Sequence, residues 1–185
     1  MADAPRSYCE YVAGLERDNL HRIYHDTAYG FPLDDDNALF ERLILEINQA
    51  GLSWDLMLRK QENFRAAYDG FDIAAVAAYG EAERERLLND AGIVRNRLKV
   101  GAAIHNANVI LGLQREHCSF KAWLDQCHPL SKADWTKLFK KTFKFTGGEI
   151  VGEFLMSCGY LPGAHVEDCP VHAEILELEP PWTRK

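Results

Sequence analysis

From Leu39 to Ala50 the residues Leu39, Leu43, Ile47 and Ala50 recur at spacings of three and four, which puts them on one face of a helix. Asp35 and Asp36 stand just before it, where carboxylates cap free N–H groups and complement the helix dipole. Gly51 ends the helix in a left-handed turn, Ser53 can cap the next one, and Trp54 stands at its mouth. Glu46 is the anomaly, because it follows Leu43 by three residues and so lies along the apolar stripe. A carboxylate there costs free energy unless something pairs with it. No Lys or Arg of the helix shares its face; Arg42 is four residues earlier, and its neighbours Glu41 and Asn37 place it toward the polar side. A half-buried acid and a large ring thus flank a tight turn that exposes Leu52. The arrangement suits a pocket for a flat, polar, cationic ligand.

The rest of the chain keeps this helical character and shows no clear strand pattern, so an all-α fold is expected. Residues 1–8 form a ragged terminus. Asn19 caps a short helical turn carrying His21, Tyr24 and His25. Ser53 to Tyr68 is a second helix, and Asp72 caps a short one through Ala78. Ser119 caps another before Pro129, and Ser131 with Asp134 opens the helix to Lys141. A last long helix runs from about Glu149 to Cys158. Glu81–Asn89 and Arg95–Leu113 are helices joined by a turn containing Gly92, a helix–hairpin–helix pattern over about residues 81–116. Leu87, Leu88, Ile93 and Val94 would pin the hairpin. The start of its second helix offers free N–H groups to an anion such as a phosphate, with Arg95, Arg97 and Lys99 clustered there.

A further basic run, Lys137, Lys140, Lys141 and Lys144, interleaves with Phe139, Phe143 and Phe145 ahead of Gly147-Gly148. An amphipathic helix with Phe inward and Lys outward is the commoner source of such a run. The glycine pair tips the balance slightly toward a nucleic-acid groove, since Gly lets a backbone approach phosphate closely. The net charge of −7 opposes any nucleic acid overall, so contact must come from local basic patches of this kind. The 185 residues, 47% hydrophobic and 26% charged, fit one globular domain with its own core. No signal peptide and no apolar run long enough to span a bilayer are found, so a cytoplasmic protein with no membrane contact is expected. Five cysteines, an odd number, favour free thiols or metal ligands over a disulfide framework.

His165 and Cys169 form an H-x3-C pair. If helical, it would aim both ligating atoms from one face, as a tetrahedral metal needs. Cys9 and His25 near the other terminus would complete a Cys2His2 set. On spacing alone, four unrelated residues are the commoner outcome, and Cys158 and His172 are competing ligands.

Taken together, Tyr24-His25-Asp26, LFERLILEINQAGLSW, DAGIVRNRLKV, FKKTFKFTG and the His165–Cys169 pair resemble the type I 3-methyladenine DNA glycosylases of the helix–hairpin–helix DNA repair superfamily. The matching stretches run in order from Cys9 to Cys169, nearly the whole chain. The resemblance implies an all-α fold in a single glycosylase domain over 1–185, with two helical lobes and a cleft between them. It also implies one structural Zn2+ per chain, held by Cys9, His25, His165 and Cys169, that joins the termini. Glu46 becomes the catalytic acid that reads the extruded base. Tyr24 and Trp54 become aromatic walls, with Tyr11 and Tyr29 beside the substrate. Gly51 and Leu52 become the turn that plugs the duplex, while Gly92, Arg95 and Lys141 contact DNA. Three departures from the family stand out. Tyr11 and Tyr29 stand where Trp is usual, Ile47 stands where Gly follows the acid, and Leu98 stands where the hairpin can carry Gly. The first two bear on base selectivity.

The implied activity is monofunctional hydrolysis of the N-glycosidic bond, releasing 3-methyladenine from alkylated double-stranded DNA in base-excision repair, by a monomer. No Lys is placed as an amine nucleophile, so strand cleavage is not expected. Two alternatives are a non-catalytic binder of damaged DNA on the same scaffold and a zinc hydrolase with His25 and a carboxylate around an open metal position.

Overall fold

A computed structural model describes residues 5–184. Among them are eleven α-helices and no strand. They are α1 (Tyr8–Ala13), α2 (Leu20–Thr27), α3 (Asp36–Gln49), α4 (Trp54–Ala67), α5 (Ile73–Ala77), α6 (Glu81–Asn89), α7 (Arg97–His117), α8 (Phe120–Cys127), α9 (Lys132–Thr142), α10 (Gly148–Ser157) and α11 (Pro170–Glu177). No helix is long and apolar enough to cross a membrane. The chain divides into two compact units, residues 1–32 with 155–185, and residues 33–154. Of the expected ragged start, residues 1–4 lie outside the described range, whereas Ser7 caps α1 by accepting from the Glu10 N–H.

The larger unit is built on α3, which packs against α4, α5, α7 and α8. Leu39, Phe40, Leu43, Ile44 and Ile47 are completely buried. From Arg42 to Asn48 burial extends round the helix, so the expected single apolar face is corrected there: Arg42, Glu46 and Asn48 are buried as well. A helix enclosed on all sides has no polar side to which Arg42 could turn. Local caps form as the sequence predicts: Asp35, Ser53, Asp72, Ser119 and Ser131 each accept a backbone N–H of the first turn that follows. Asp36 does not cap α3. Its carboxylate accepts from the Phe120 and Lys121 N–H groups and from the Gln114 amide, tying α3 to the start of α8.

An aromatic layer finishes this unit, with Phe120, Trp123, Trp135, Phe139, Phe143 and Phe154 in mutual ring contact. Phe139 and Phe143 therefore point inward, as an amphipathic helix requires, while Lys140, Lys141 and Lys144 are exposed.

In the smaller unit α1 packs on α2. Cys169, Val171 and Ile175 form a buried cluster joined by Cys9 and Phe31. Gly30 has φ +86°, and a Cβ there would stand 2.8 Å from the Ala164 Cβ, so only glycine fits this close approach.

Candidate active site and metal centre

Helix α3 ends in a type II turn. Ala50 has φ −50° and ψ 116°, Gly51 has φ +81°, and the Leu52 N–H donates to the Gln49 carbonyl at 2.7 Å. Glycine is required at that φ, and the turn leaves Leu52 37% exposed. The Lys99 ammonium, buried to 5% exposure, donates to the carbonyls of Asn48 at 2.8 Å and Ala50 at 2.7 Å. It is a cation on the negative end of α3. Its expected place in an exposed phosphate-binding cluster is thereby corrected: the side chain turns inward, and burial pulls its pKa down. Lys99→Met should cost about 1.5–3 kcal/mol, the range for hydrogen bonds to a charged group, read as a lower urea midpoint.

Glu46 lies one turn before this cap and is 4% exposed. No hydrogen bond or ion pair to its carboxyl group is found among the described residues. Burial pushes its pKa up to about 8, against the pull of the Arg42 charge and with the Glu153 carboxylate adding to the rise. Arg42 is thus a charge neighbour of Glu46. Glu153, on α10, joins the acid in a way that no local sequence pattern announces. A cavity of about 390 Å³ beside the turn is lined by Gly51, Gly147, Gly148, Glu149 and Glu153. Trp54 opens α4, half-buried, in the same unit.

The connection from α6 to α7 is longer than expected, because α7 begins at Arg97 rather than at Arg95. Asn96 caps α7 by accepting from the Leu98 and Lys99 N–H groups, so Arg95 precedes the helix and is exposed. The Gly92 N–H is taken by Asp90 Oδ1 at 2.7 Å, and a Cβ at Gly92 would meet that oxygen at 2.9 Å. Lys60 donates to the Ala91 and Gly92 carbonyls at 3.0 and 2.8 Å. Leu87 and Ile93 are buried, with Leu88 and Val94 half-buried, as pins for the turn.

In the smaller unit Tyr8 gathers the aromatic side chains. It stacks on Tyr11 at 6.1 Å, and Tyr29 meets its ring edge-on at 5.6 Å. Tyr24 lies 5.6 Å from Tyr29. Tyr8 Oη lies 3.0 Å from His21 Nδ1. Tyr11, Tyr24 and Tyr29 are therefore brought together, with Tyr8 and His21 as members that spacing does not single out.

Next to them Cys9, His25, His165 and Cys169 converge, their ligating atoms all within 4.8 Å of one another. His165–Cys169 is a turn, not a helix, with the Cys169 N–H donating to the Val166 carbonyl, and it still brings Sγ to 3.7 Å from Nδ1. His165 Nδ1 lies 3.6 Å from Cys9 Sγ and 3.1 Å from His25 Nε2, and Cys169 Sγ lies 3.8 Å from His25 Nε2. Tetrahedral metal bonds of about 2.3 Å to sulfur and 2.0 Å to nitrogen put donor atoms roughly 3.3–3.8 Å apart.

The proton positions point the same way. His25 Nδ1 donates to Asp26 Oδ1 at 2.6 Å. His165 Nε2 donates to the Tyr29 carbonyl at 2.7 Å. Burial raises the Asp26 pKa, but hydrogen bonds from Arg22 and His25 more than offset it, so the carboxyl titrates below its usual range. Both imidazole protons being committed, two nitrogen lone pairs face each other across 3.1 Å. Burial lowers the His165 pKa, which disfavours a second proton there. A cation between the nitrogens resolves the repulsion. Burial, then the Cys169 sulfur, push the Cys9 thiol up, and a cation would reverse that as well. The four residues fit one metal ion, and Cys158 and His172 are not in the set.

The profile of the methyladenine glycosylase family matches residues 14–134. DNA-3-methyladenine glycosylase 1 of Escherichia coli (strain K12) is 37% identical over 179 residues, 86% of this chain and 95% of that protein. DNA-3-methyladenine glycosylase of Haemophilus influenzae is 32% identical over 171 residues, 82% of this chain and 92% of that one. A solved structure of 3-methyladenine DNA glycosylase I from Staphylococcus aureus, described as the structural basis of 3-methyladenine recognition, superposes with a TM-score of 0.76. It is 30% identical and covers 84% of this chain and 93% of that one. With the family profile spanning residues 14–134 and relatives matched over most of their length, the chain belongs to the methyladenine glycosylase family.

Proposed function

We propose that the protein is a monofunctional DNA-3-methyladenine glycosylase, hydrolysing the N-glycosidic bond of 3-methyladenine in alkylated double-stranded DNA. The observation that carries the mechanism is Glu46, a buried carboxyl group with no hydrogen-bond partner among the described residues. An enzyme acting on a base within duplex DNA first extrudes it. Leu52, exposed on its rigid turn, is the apolar wedge for the vacated stack, with Gly51 shaping the turn. An adenine methylated at N3 is cationic while bonded to the sugar, and aromatic faces attract such a cation; Trp54 offers one in the larger unit, and Tyr11, Tyr24 and Tyr29 offer theirs in the smaller.

In the free protein Glu46 holds its proton at neutral pH, with a pKa of about 8. An incoming cation favours the ionised form, so Glu46 releases its proton as the methylated base arrives. Neutral adenine offers no such attraction, and the filter therefore acts on charge. As the bond breaks, positive charge moves to the sugar, where the Glu46 carboxylate stabilises it. The methylated base leaves readily, and water completes the hydrolysis.

The domain spans both units, 1–185, as a cytoplasmic monomer. The Cys9, His25, His165 and Cys169 set holds one structural Zn2+, because four protein ligands leave no position for a reacting water. That also weighs against a zinc hydrolase. The α6–α7 connection acts as a helix–hairpin–helix, in which Gly92 keeps the turn tight and Arg95 and Lys141 meet phosphates. Such contacts carry no sequence information and make binding salt-dependent. Affinity for an abasic duplex should fall at least about tenfold between 50 and 200 mM salt; a flat salt profile would reject Arg95 and Lys141 as phosphate contacts. Chromatography of bases released from methylated DNA tests the activity itself. DNA binding with no free 3-methyladenine would identify a non-catalytic binder of damaged DNA instead.

A further inference from the structure

A second basic surface in the larger unit lies along α7. A groove of about 640 Å³ is lined by Arg84 of α6, by Arg97, Leu98, Gly101, His105 and Asn108 among others of α7, and by Lys144 and Phe145. No acidic side chain lines it, in a chain of net charge −7. Arg84, Arg97 and Lys144 make no ion pair among the described residues. The Arg84 guanidinium lies over Gly101, where a Cβ would stand 3.6 Å from it. Burial and the Lys144 charge lower the His105 pKa, which leaves a neutral imidazole as a hydrogen-bonding group in the wall.

Phe145 is the unusual member. Its neighbours Phe139 and Phe143 are in the aromatic core, but Phe145 turns outward, 40% exposed, with φ +63°. A bulky residue rarely holds that conformation, and such outliers persist where the surroundings enforce them. Here they do. Asn106, fully buried, donates to the Lys144 carbonyl at 3.1 Å and accepts from the Lys144 N–H at 2.8 Å. The Thr146 hydroxyl donates to the Phe139 carbonyl at 3.0 Å. The chain is clamped on both sides so that one aromatic side chain stays open in the groove that the three free cations line.

We propose that this groove binds a nucleic-acid strand whose bases are unpaired, with a base stacked on Phe145 and its phosphates on Arg84, Arg97 and Lys144. An open ring beside cations is the pattern that sequence-independent single-strand binding uses, because every base has a face to stack. A paired duplex hides those faces and would leave the Phe145 ring, 40% exposed, without a base to stack on. The volume suits a nucleotide-sized occupant. The surface is additional to the damaged-base site and does not depend on excision.

The test is fluorescence anisotropy with a short labelled oligothymidylate and a duplex of equal length, on the intact protein. Phe145→Ala should weaken oligothymidylate binding about ten- to a hundredfold, the range for losing one stacked base. Phe145→Leu, which keeps an apolar cover, should weaken it nearly as much; rescue by Leu would mean that the ring is only packing. The double variant Arg84→Gln with Lys144→Gln, both on the surface, should lower the log–log salt slope by about 1.4, or about 0.7 for each cation lost. Thermal melting of each variant checks that the fold is kept. Unchanged oligothymidylate affinity in all folded variants overturns the proposal, as does an equal loss for the duplex. Glu46→Gln should bind oligothymidylate like the wild type, and excision by the wild type is scored separately, so the two assignments fail independently.

Discussion

Glu46→Gln should slow single-turnover release of 3-methyladenine from methylated duplex by up to about 10²–10³-fold, the usual consequence of removing a preorganised electrostatic group. The loss is smaller to the extent that a cationic base departs unaided. Abasic-duplex binding should be nearly unchanged, because the hairpin and the Leu52 turn are untouched. The pH dependence gives a second signature. In the wild type kcat/KM should rise with pH and level off near 8, the pKa of the free acid, and this limb should disappear in the variant.

Stability has the opposite sign. A carboxyl group whose folded pKa is raised stabilises the native state fully below its unfolded value of 4.5, and this contribution is lost as pH rises through about 8. Above pH 8 the variant should therefore melt higher than the wild type, whereas near pH 5 the two should be alike. At about 1.4 kcal/mol per pH unit, the rise from 4.5 to about 8 sets a ceiling of about 5 kcal/mol. An unchanged rate, or a variant that fails to fold, would make Glu46 a structural acid.

Loss of the metal centre should have the largest effect on stability. Cys169→Ala leaves three ligands and two imidazole lone pairs 3.1 Å apart. Structural zinc sites contribute on the order of 10 kcal/mol in isolated fingers. Here the larger unit has its own core, so the loss should appear as lower soluble yield and an early melting step from the smaller unit. Metal analysis should give one zinc per wild-type chain, and a strong chelator should reproduce the Cys169→Ala melting profile. A wild type that is metal-free yet fully stable would refute the assignment.

Legibility followed the range of the interactions. Ser53, Asp72, Ser119 and Ser131 act on N–H groups a few residues away, so their caps could be read from sequence. Asp36 could not be read that way, because its partners Phe120 and Lys121 lie 84 and 85 residues on. Periodicity alone gives α3 one apolar face; its other side is filled by Arg42 and Asn48, polar residues that only tertiary packing can bury. The Lys99 basic-cluster expectation failed for the same reason: a lysine at a helix start looks solvent-exposed until the neighbouring helix end is seen. The H-x3-C pair was legible as half a site, but its partner His25 lies 140 residues before His165 and was only one candidate until the resemblance selected it. Asp26 and Glu153, which set the charge state around the metal ligands and around Glu46, carry no spacing signal at all.

The Lys99 cap couples inheritance at two distant places. Its ammonium holds the carbonyls of Asn48 and Ala50, 51 and 49 residues earlier. The last turn of α3 therefore depends on a residue in the first turn of α7, and a shorter side chain at 99 would leave both carbonyls stranded. Every residue carries a main-chain carbonyl, so side chains at 48 and 50 can drift as long as the turn keeps its shape, whereas position 99 must keep a long cationic side chain. Among descendants of such a chain, Lys99 should persist wherever the Gly51 turn persists, and the connection between α6 and α7 should resist insertions that slide Lys99 along its helix.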